Sequence, residues 1–173
     1  DVKEVLKRAE EEVRRSIKRT REVLERVEKM VRDSSRTTTD LIRKVRREVK
    51  RVIDEVNGRD LARELKRMLD ELDERLKDSD RKLKEKIDRL IKEIEESDDE
   101  LRRTIEEIKK LIDDGTDIDT VLEDVKRLVK ENSEKIDEVV REIRELVETN
   151  RKLVEDLVRE IKELVEKALR DAK

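Results

Sequence analysis

The stretch LKRMLDELDERLKDSDRKLKEKIDRLIKEIEESDDELRRTIEEIKKLI, residues 65–112, decides the fold. Its apolar or small residues fall at Leu65, Leu69, Leu72, Leu76, Ser79, Leu83, Ile87, Leu90, Ile94, Ser97, Leu101, Ile105, Ile108 and Ile112. The steps are fours and threes, which put all of them on one stripe of an α-helix. Most residues between them are Lys, Arg, Asp or Glu, so the other face is solvated.

The same stripe runs on either side of this stretch. Upstream it passes through Val13, Ile17, Thr20, Leu24, Val27, Val31, Ser35, Thr38, Ile42, Val45, Val49, Ile53 and Val56. Downstream it passes through Ile118, Val121, Val125, Leu128, Asn132, Ile136, Val139, Ile143, Leu146, Asn150, Val154, Leu157, Ile161 and Leu164. Only two glycines occur, Gly58 in NGRD and Gly115 in DDGTDID, and both sit where the periodicity pauses. Asn57 and Gly58 suit the left-handed stop of a helix, with Asp60 as the next cap. Gly115 suits the second stop, with Thr116 or Asp117 capping the third helix.

The expectation is therefore an all-α, up-down-up three-helix bundle forming a single elongated domain over residues 1–173. Helix 1 covers about 2–56, helix 2 about 60–113 and helix 3 about 117–171, each roughly 80 Å long at 1.5 Å per residue. Each stripe repeats after 18 residues. That is close to five turns at the natural 3.6 residues per turn, so the helices should run nearly straight, without the left-handed supercoil of a heptad repeat.

Composition sets the outer limits. Charged residues make up 56% of the chain and hydrophobic ones 33%, which supplies a narrow core only. High charge also accompanies disorder, but absent proline, strong helix formers and unbroken periodicity decide for helices. The 47 basic and 50 acidic residues are interleaved, and there are no aromatics, so neither the basic face nor the stacking platform of a nucleic-acid binder is present. No apolar run approaches the length of a membrane span, and no targeting signal is evident. The expected state is soluble, with cytoplasmic expression.

The turns fix which polar interruptions of the stripes meet. Pairing Val56 with Leu61 and Ile112 with Asp117 sets Thr38 opposite Ser79 and Ser79 opposite Asn150. One repeat away, Thr20 faces Ser97 and Ser97 faces Asn132. Each layer takes one polar residue from every helix. An unpaired polar group in a core costs about 1–3 kcal/mol, so these layers are expected to be hydrogen-bonded. Ser16, Ser34, Ser35, Ser133 and Thr149 stand ready as extenders. Their expected role is register and partner specificity.

With its Thr20, Ser97, Asn132 and Thr38, Ser79, Asn150 layers, its 18-residue repeat, its i,i+4 charge pairs and its missing aromatics, the whole chain resembles de novo designed helical bundles with buried hydrogen-bond networks. That resemblance is one of style. It implies a scaffold or a specific association module, including three-helix components that pair with a separate helix. Spectrin-type repeats and other natural coiled-coil adaptors resemble it less, because their core aromatics are absent here.

One flank differs from the rest. The shoulder of helix 1 toward helix 2 is charged, running through Arg14, Lys18, Arg21, Glu25, Glu28, Arg32 and Arg36. The shoulders away from helix 2 are apolar or small instead. They comprise Val5, Ser16, Val23, Met30, Ser34, Leu41 and Val52 on helix 1, and Leu122, Val129, Ser133, Val140, Val147, Val158 and Val165 on helix 3. Either helices 1 and 3 close on each other, or they border a groove for a further helix, from a partner or another copy, completing four or more helices. The one-sidedness favours the groove.

Catalytic chemistry is not expected. Without His or Cys there is no usual near-neutral base, thiol nucleophile or zinc site. Adjacent acids such as Asp98 with Asp99 read as exposed helix-face carboxylates, and DDGTDID departs from the calcium-loop pattern. No cofactor, metal or small-molecule ligand is evident. The functional expectation is a structural or association module and not an enzyme, with a purely monomeric scaffold as its alternative.

Overall fold

In a computed structural model, residues 2–56, 58–111 and 118–171 are described. They form three helices packed against each other: α1, Val2–Val56; α2, Arg59–Leu111; and α3, Ile118–Asp171. Among the described residues only Gly58 lies outside a helix. The second turn, with Gly115, Thr116 and Asp117, falls outside them.

The first turn differs from its sequence reading in one respect. The Ala62 amide donates to the Gly58 carbonyl at 3.1 Å, which is the opening i to i+4 bond of α2. Gly58 therefore occupies the N-cap and Asp60 lies within the first turn, where its carboxylate meets the positive end of the helix dipole. At the other end of α2, Lys109 and Lys110 lie in the last turn and complement the negative end.

The chain divides into two compact units, each drawing a stretch from all three helices. One comprises Asp1–Glu28 with Lys86–Ile143. Its core gathers Ala9 and Val13 from α1, Leu101, Ile105 and Ile108 from α2, and Val121 and Val125 from α3. The other comprises Lys29–Glu85 with Arg144–Lys173. Its core gathers Ile42, Val45, Val49 and Val52, then Leu65 and Leu72, then Val154, Leu157, Val158, Ile161 and Val165. Leu65, Leu72, Leu90 and Leu101 lose all solvent exposure, which contributes roughly 1.5–3 kcal/mol for each side chain.

Ion pairs tie helix to helix at the rims. In the first unit Lys109 Nζ meets Glu10 Oε1 at 3.2 Å, and Lys86 Nζ donates to Glu142 Oε2 at 2.7 Å. Arg89 Nη1 reaches the same Glu142 oxygen at 3.4 Å. In the second unit Arg46 pairs with Asp73. Many other pairs join residues three or four apart on one helix, such as Arg151 with Glu148 and Glu155. Partly exposed pairs of this kind add roughly 0–1 kcal/mol each, so the apolar stripes dominate stability.

One segment of α1 is held differently. Residues 33–40, DSSRTTTD, contain no aliphatic core residue, and none of them is buried. Apart from Arg36, their types have weak helix propensity. Two hydroxyls turn back onto the helix, Thr37 Oγ1 donating to the Asp33 carbonyl at 3.0 Å and Thr39 Oγ1 to the Ser35 carbonyl at 2.8 Å. Such bonds satisfy the hydroxyls locally while leaving the segment without apolar anchorage.

Candidate polar layers and the flanking seam

The layer of Thr20, Ser97 and Asn132 lies inside the first unit, with the three side chains 5%, 6% and 4% exposed. Each sits on the apolar stripe of its helix, and that placement buries it. The stripe does not, however, supply partners. Thr20 Oγ1 donates to the Ile17 carbonyl of its own helix at 2.9 Å. Ser97 Oγ and Asn132 Nδ2 have no hydrogen-bond partner. The closed network expected from the sequence is therefore not formed by direct side-chain bonds at these atoms. A threonine hydroxyl reaches its own i−3 carbonyl without crossing to a neighbour, and Thr20 takes that shorter route.

Beside this layer lies a cavity of about 280 Å³, lined by Ser97, Asn132, Ile136, Glu93, Glu96, Glu100 and Lys135. Glu93 accepts from Arg89 Nε through Oε1 at 3.2 Å, while its Oε2 is buried without a partner. The small Ser97 side chain opens this space between α2 and α3, where leucine would have filled it.

Asp98 departs most from the sequence reading. Expected to be an exposed helix-face acid, it is only 8% exposed, and its Oδ1 has no partner. Burial pushes its carboxyl above the ordinary aspartate range; the Arg21 and Arg102 charges pull it down, and Asp99 pushes it up again. The signal in the sequence is position: Asp98 follows the small Ser97, on the side of α2 that meets Arg21.

The second layer is less uniform. Asn150 is 5% exposed and its Oδ1 has no partner, whereas Thr38 and Ser79 are half-buried. Of the expected extenders, Ser16 is buried and Ser34 and Ser133 are half-buried, but Ser35 and Thr149 are exposed and extend nothing. Periodicity places Ser35 on the inward stripe. In the polar segment 33–40 no neighbouring aliphatic residue draws α1 inward, and the stripe loses its grip there.

The seam residues are all covered to some degree. Ser16, Val52, Val140, Val158 and Val165 are buried, with Val52 at 0%. Val5, Val23, Met30, Ser34, Leu41, Leu122, Val129, Ser133 and Val147 are half-buried. Val52, Val158 and Val165 belong to the core of the second unit and Leu41 packs against it, while Leu122 and Val129 pack against that of the first. At its buried positions the seam is closed by the chain itself and does not form an open groove.

Charge at the site is balanced locally. The Glu142 carboxyl is held below its ordinary range, chiefly by the hydrogen bond from Lys86; desolvation opposes this, and the Lys86, Arg89 and Arg141 charges lower it further. Among the described residues no cluster of three or more Asp or Glu could hold a metal ion. No described helix is long and apolar enough to cross a membrane. No known protein family, curated protein or solved structure matches the chain.

Proposed function

We propose that the chain is a non-catalytic structural module, a de novo designed three-helix bundle that runs up-down-up and covers its own apolar surface. The observation that carries this reading is the burial of Val52, Val158 and Val165, seam residues without a further helix against them. Antiparallel pairing of α1 with α2 is supported by Glu10 with Lys109 in one unit and Arg46 with Asp73 in the other, two pairs that share one register. The 18-residue repeat is supported by Leu65, Leu83 and Leu101, and by Leu72, Leu90 and Ile108, buried at successive steps of that length. Asn132 and Asn150, one step apart, act in this reading as register markers: a slipped pairing would set each amide against leucine or isoleucine, at a further desolvation cost.

A second reading, association with another helix or another copy, draws support from half-buried seam residues in each unit, Val23 and Val129 in the first and Met30 and Val147 in the second. Absolute mass by light scattering over a wide concentration range separates the two. A monomer throughout is the expected result. A dimer or larger species that persists on dilution would overturn the self-contained module and make association the function.

A further inference from the structure

Where α1 meets α2 in the first unit, a cleft of about 530 Å³ is open on the surface. The charged shoulder of α1 explains it. Arg14 and Arg21 flank the stripe where aliphatic residues would have covered it, and their long side chains extend away from the helix contact toward water. The floor left between the helices is aliphatic, made by Val13, Ile17 and Ile105. Val13 and Ile105 are nonetheless deep in the fold, at 6% and 7% exposure.

The rim carries a net positive charge, with Arg14, Arg21, Arg102 and Lys109 set against Glu10 and Glu106. Lys109 engages Glu10 at 3.2 Å and Glu106 at 3.9 Å, and so offsets one of the two acid charges of the cleft. The remaining lining cations are Arg14, Arg21 and Arg102, and among the described residues none of the three is held in an ion pair. Asp98, outside the lining, is a further competing charge that acts on Arg21 and Arg102 without an ion pair to either. Three guanidinium groups with unused donors above an aliphatic floor are complementary to a molecule that is anionic at one end and apolar along the rest. The volume is of the size that holds small organic ligands.

We propose that this cleft binds a soluble, single-chain anionic amphiphile, with its sulfate or carboxylate between Arg14, Arg21 and Arg102 and its alkyl chain along Val13, Ile17 and Ile105. The occupant is a free monomer and not a bilayer, because the floor lies between two helices, where a tail must lie flat. The site requires only that the first unit is folded, so it does not depend on whether the chain is a monomer or associates.

Isothermal titration with octyl sulfate below its micelle concentration tests this, with octyltrimethylammonium as the tail-matched cation. One saturable site for the anion is expected, with methyl resonance shifts at Val13, Ile17 and Ile105 and no comparable binding of the cation. The exposed pair of changes Arg14→Gln and Arg102→Gln should weaken the anion at least about tenfold, with an unaltered helical circular-dichroism spectrum. Asp98→Asn, by removing the competing charge, should tighten it. Equal affinity for anion and cation, unsaturable uptake, or an affinity untouched by the arginine changes would overturn the proposal. So would sedimentation with anionic lipid vesicles without any binding of octyl sulfate.

Discussion

Replacing Asn132 with Leu should stabilise the protein, against the usual direction for a core substitution. Asn132 is 4% exposed, and its Nδ2 donates to nothing. A buried donor without a partner costs roughly 1–3 kcal/mol, which the substitution removes. Leucine adds apolar burial at about 25 cal/mol per Å², and the neighbouring cavity of about 280 Å³ gives its methyl groups room. Imperfect packing takes some of this back, since a new side chain in an existing core strains its neighbours by about 1–3 kcal/mol. The expected net gain is about 2 kcal/mol, or about 4–8 °C in midpoint temperature for a chain of this size. Guanidinium denaturation followed by circular dichroism measures it, with an unchanged denaturant slope showing that the same surface is exposed on unfolding. Ser97→Ala, which removes the second unpartnered group, should be neutral or mildly stabilising. If Asn132→Leu instead lost about 1 kcal/mol or more at unchanged slope, the amide must be hydrogen-bonded in the native state. The account of an unsatisfied layer would then be wrong.

Three further outcomes are expected from the same structure. The carboxyl of Asp98 is raised in the folded state, so the native protein binds a proton more tightly there, and this group's contribution to stability falls as pH rises from the unfolded value of 3.8 through the folded one. Asp98→Asn should therefore be more stable than the parent at neutral pH and lose that advantage in acid, as read from denaturation midpoints across pH; an advantage independent of pH would refute the burial argument. Glu142 has the opposite sign. Its folded value is lowered from 4.5, so its contribution is present above that pH and lost as pH falls through the folded value. Glu142→Gln should flatten the acid limb of the stability profile, and an unchanged limb would show that Lys86 and Arg89 do not hold it in solution. Val52→Ala removes two methyl groups from a side chain with no exposure and should cost about 2 kcal/mol by the same denaturation assay. A cost near zero would mean that this part of the seam is open in solution.

Much of the local structure was legible because helix formation here is a one-dimensional matter. Gly58 marks the break after Val56, and the absence of proline leaves the stripes unbroken elsewhere. Periodicity also placed Leu65, Leu101, Ile143 and Ile161 on inward faces, and the structure buries all four. The same logic put Asn132 and Asn150 inside, since a stripe position is buried whatever residue occupies it. Partners were not legible. A hydroxyl chooses between its own helix and a neighbour according to distances that pattern does not encode, and Thr20 chose the Ile17 carbonyl.

The sequence by itself determined the existence and approximate ends of the helices and the face each one turns inward, because backbone hydrogen bonding and side-chain period are local. Tertiary structure decided the rest. It buried Asp98 beside the small Ser97, left Ser35 exposed in a segment without aliphatic neighbours, and closed the seam at Val52 and Val158. It also opened a cleft between the charged shoulder of α1 and Ile105 of α2. Those outcomes depend on how closely two helices approach, and that distance is set by the bulk and charge of side chains far apart in the chain, acting together.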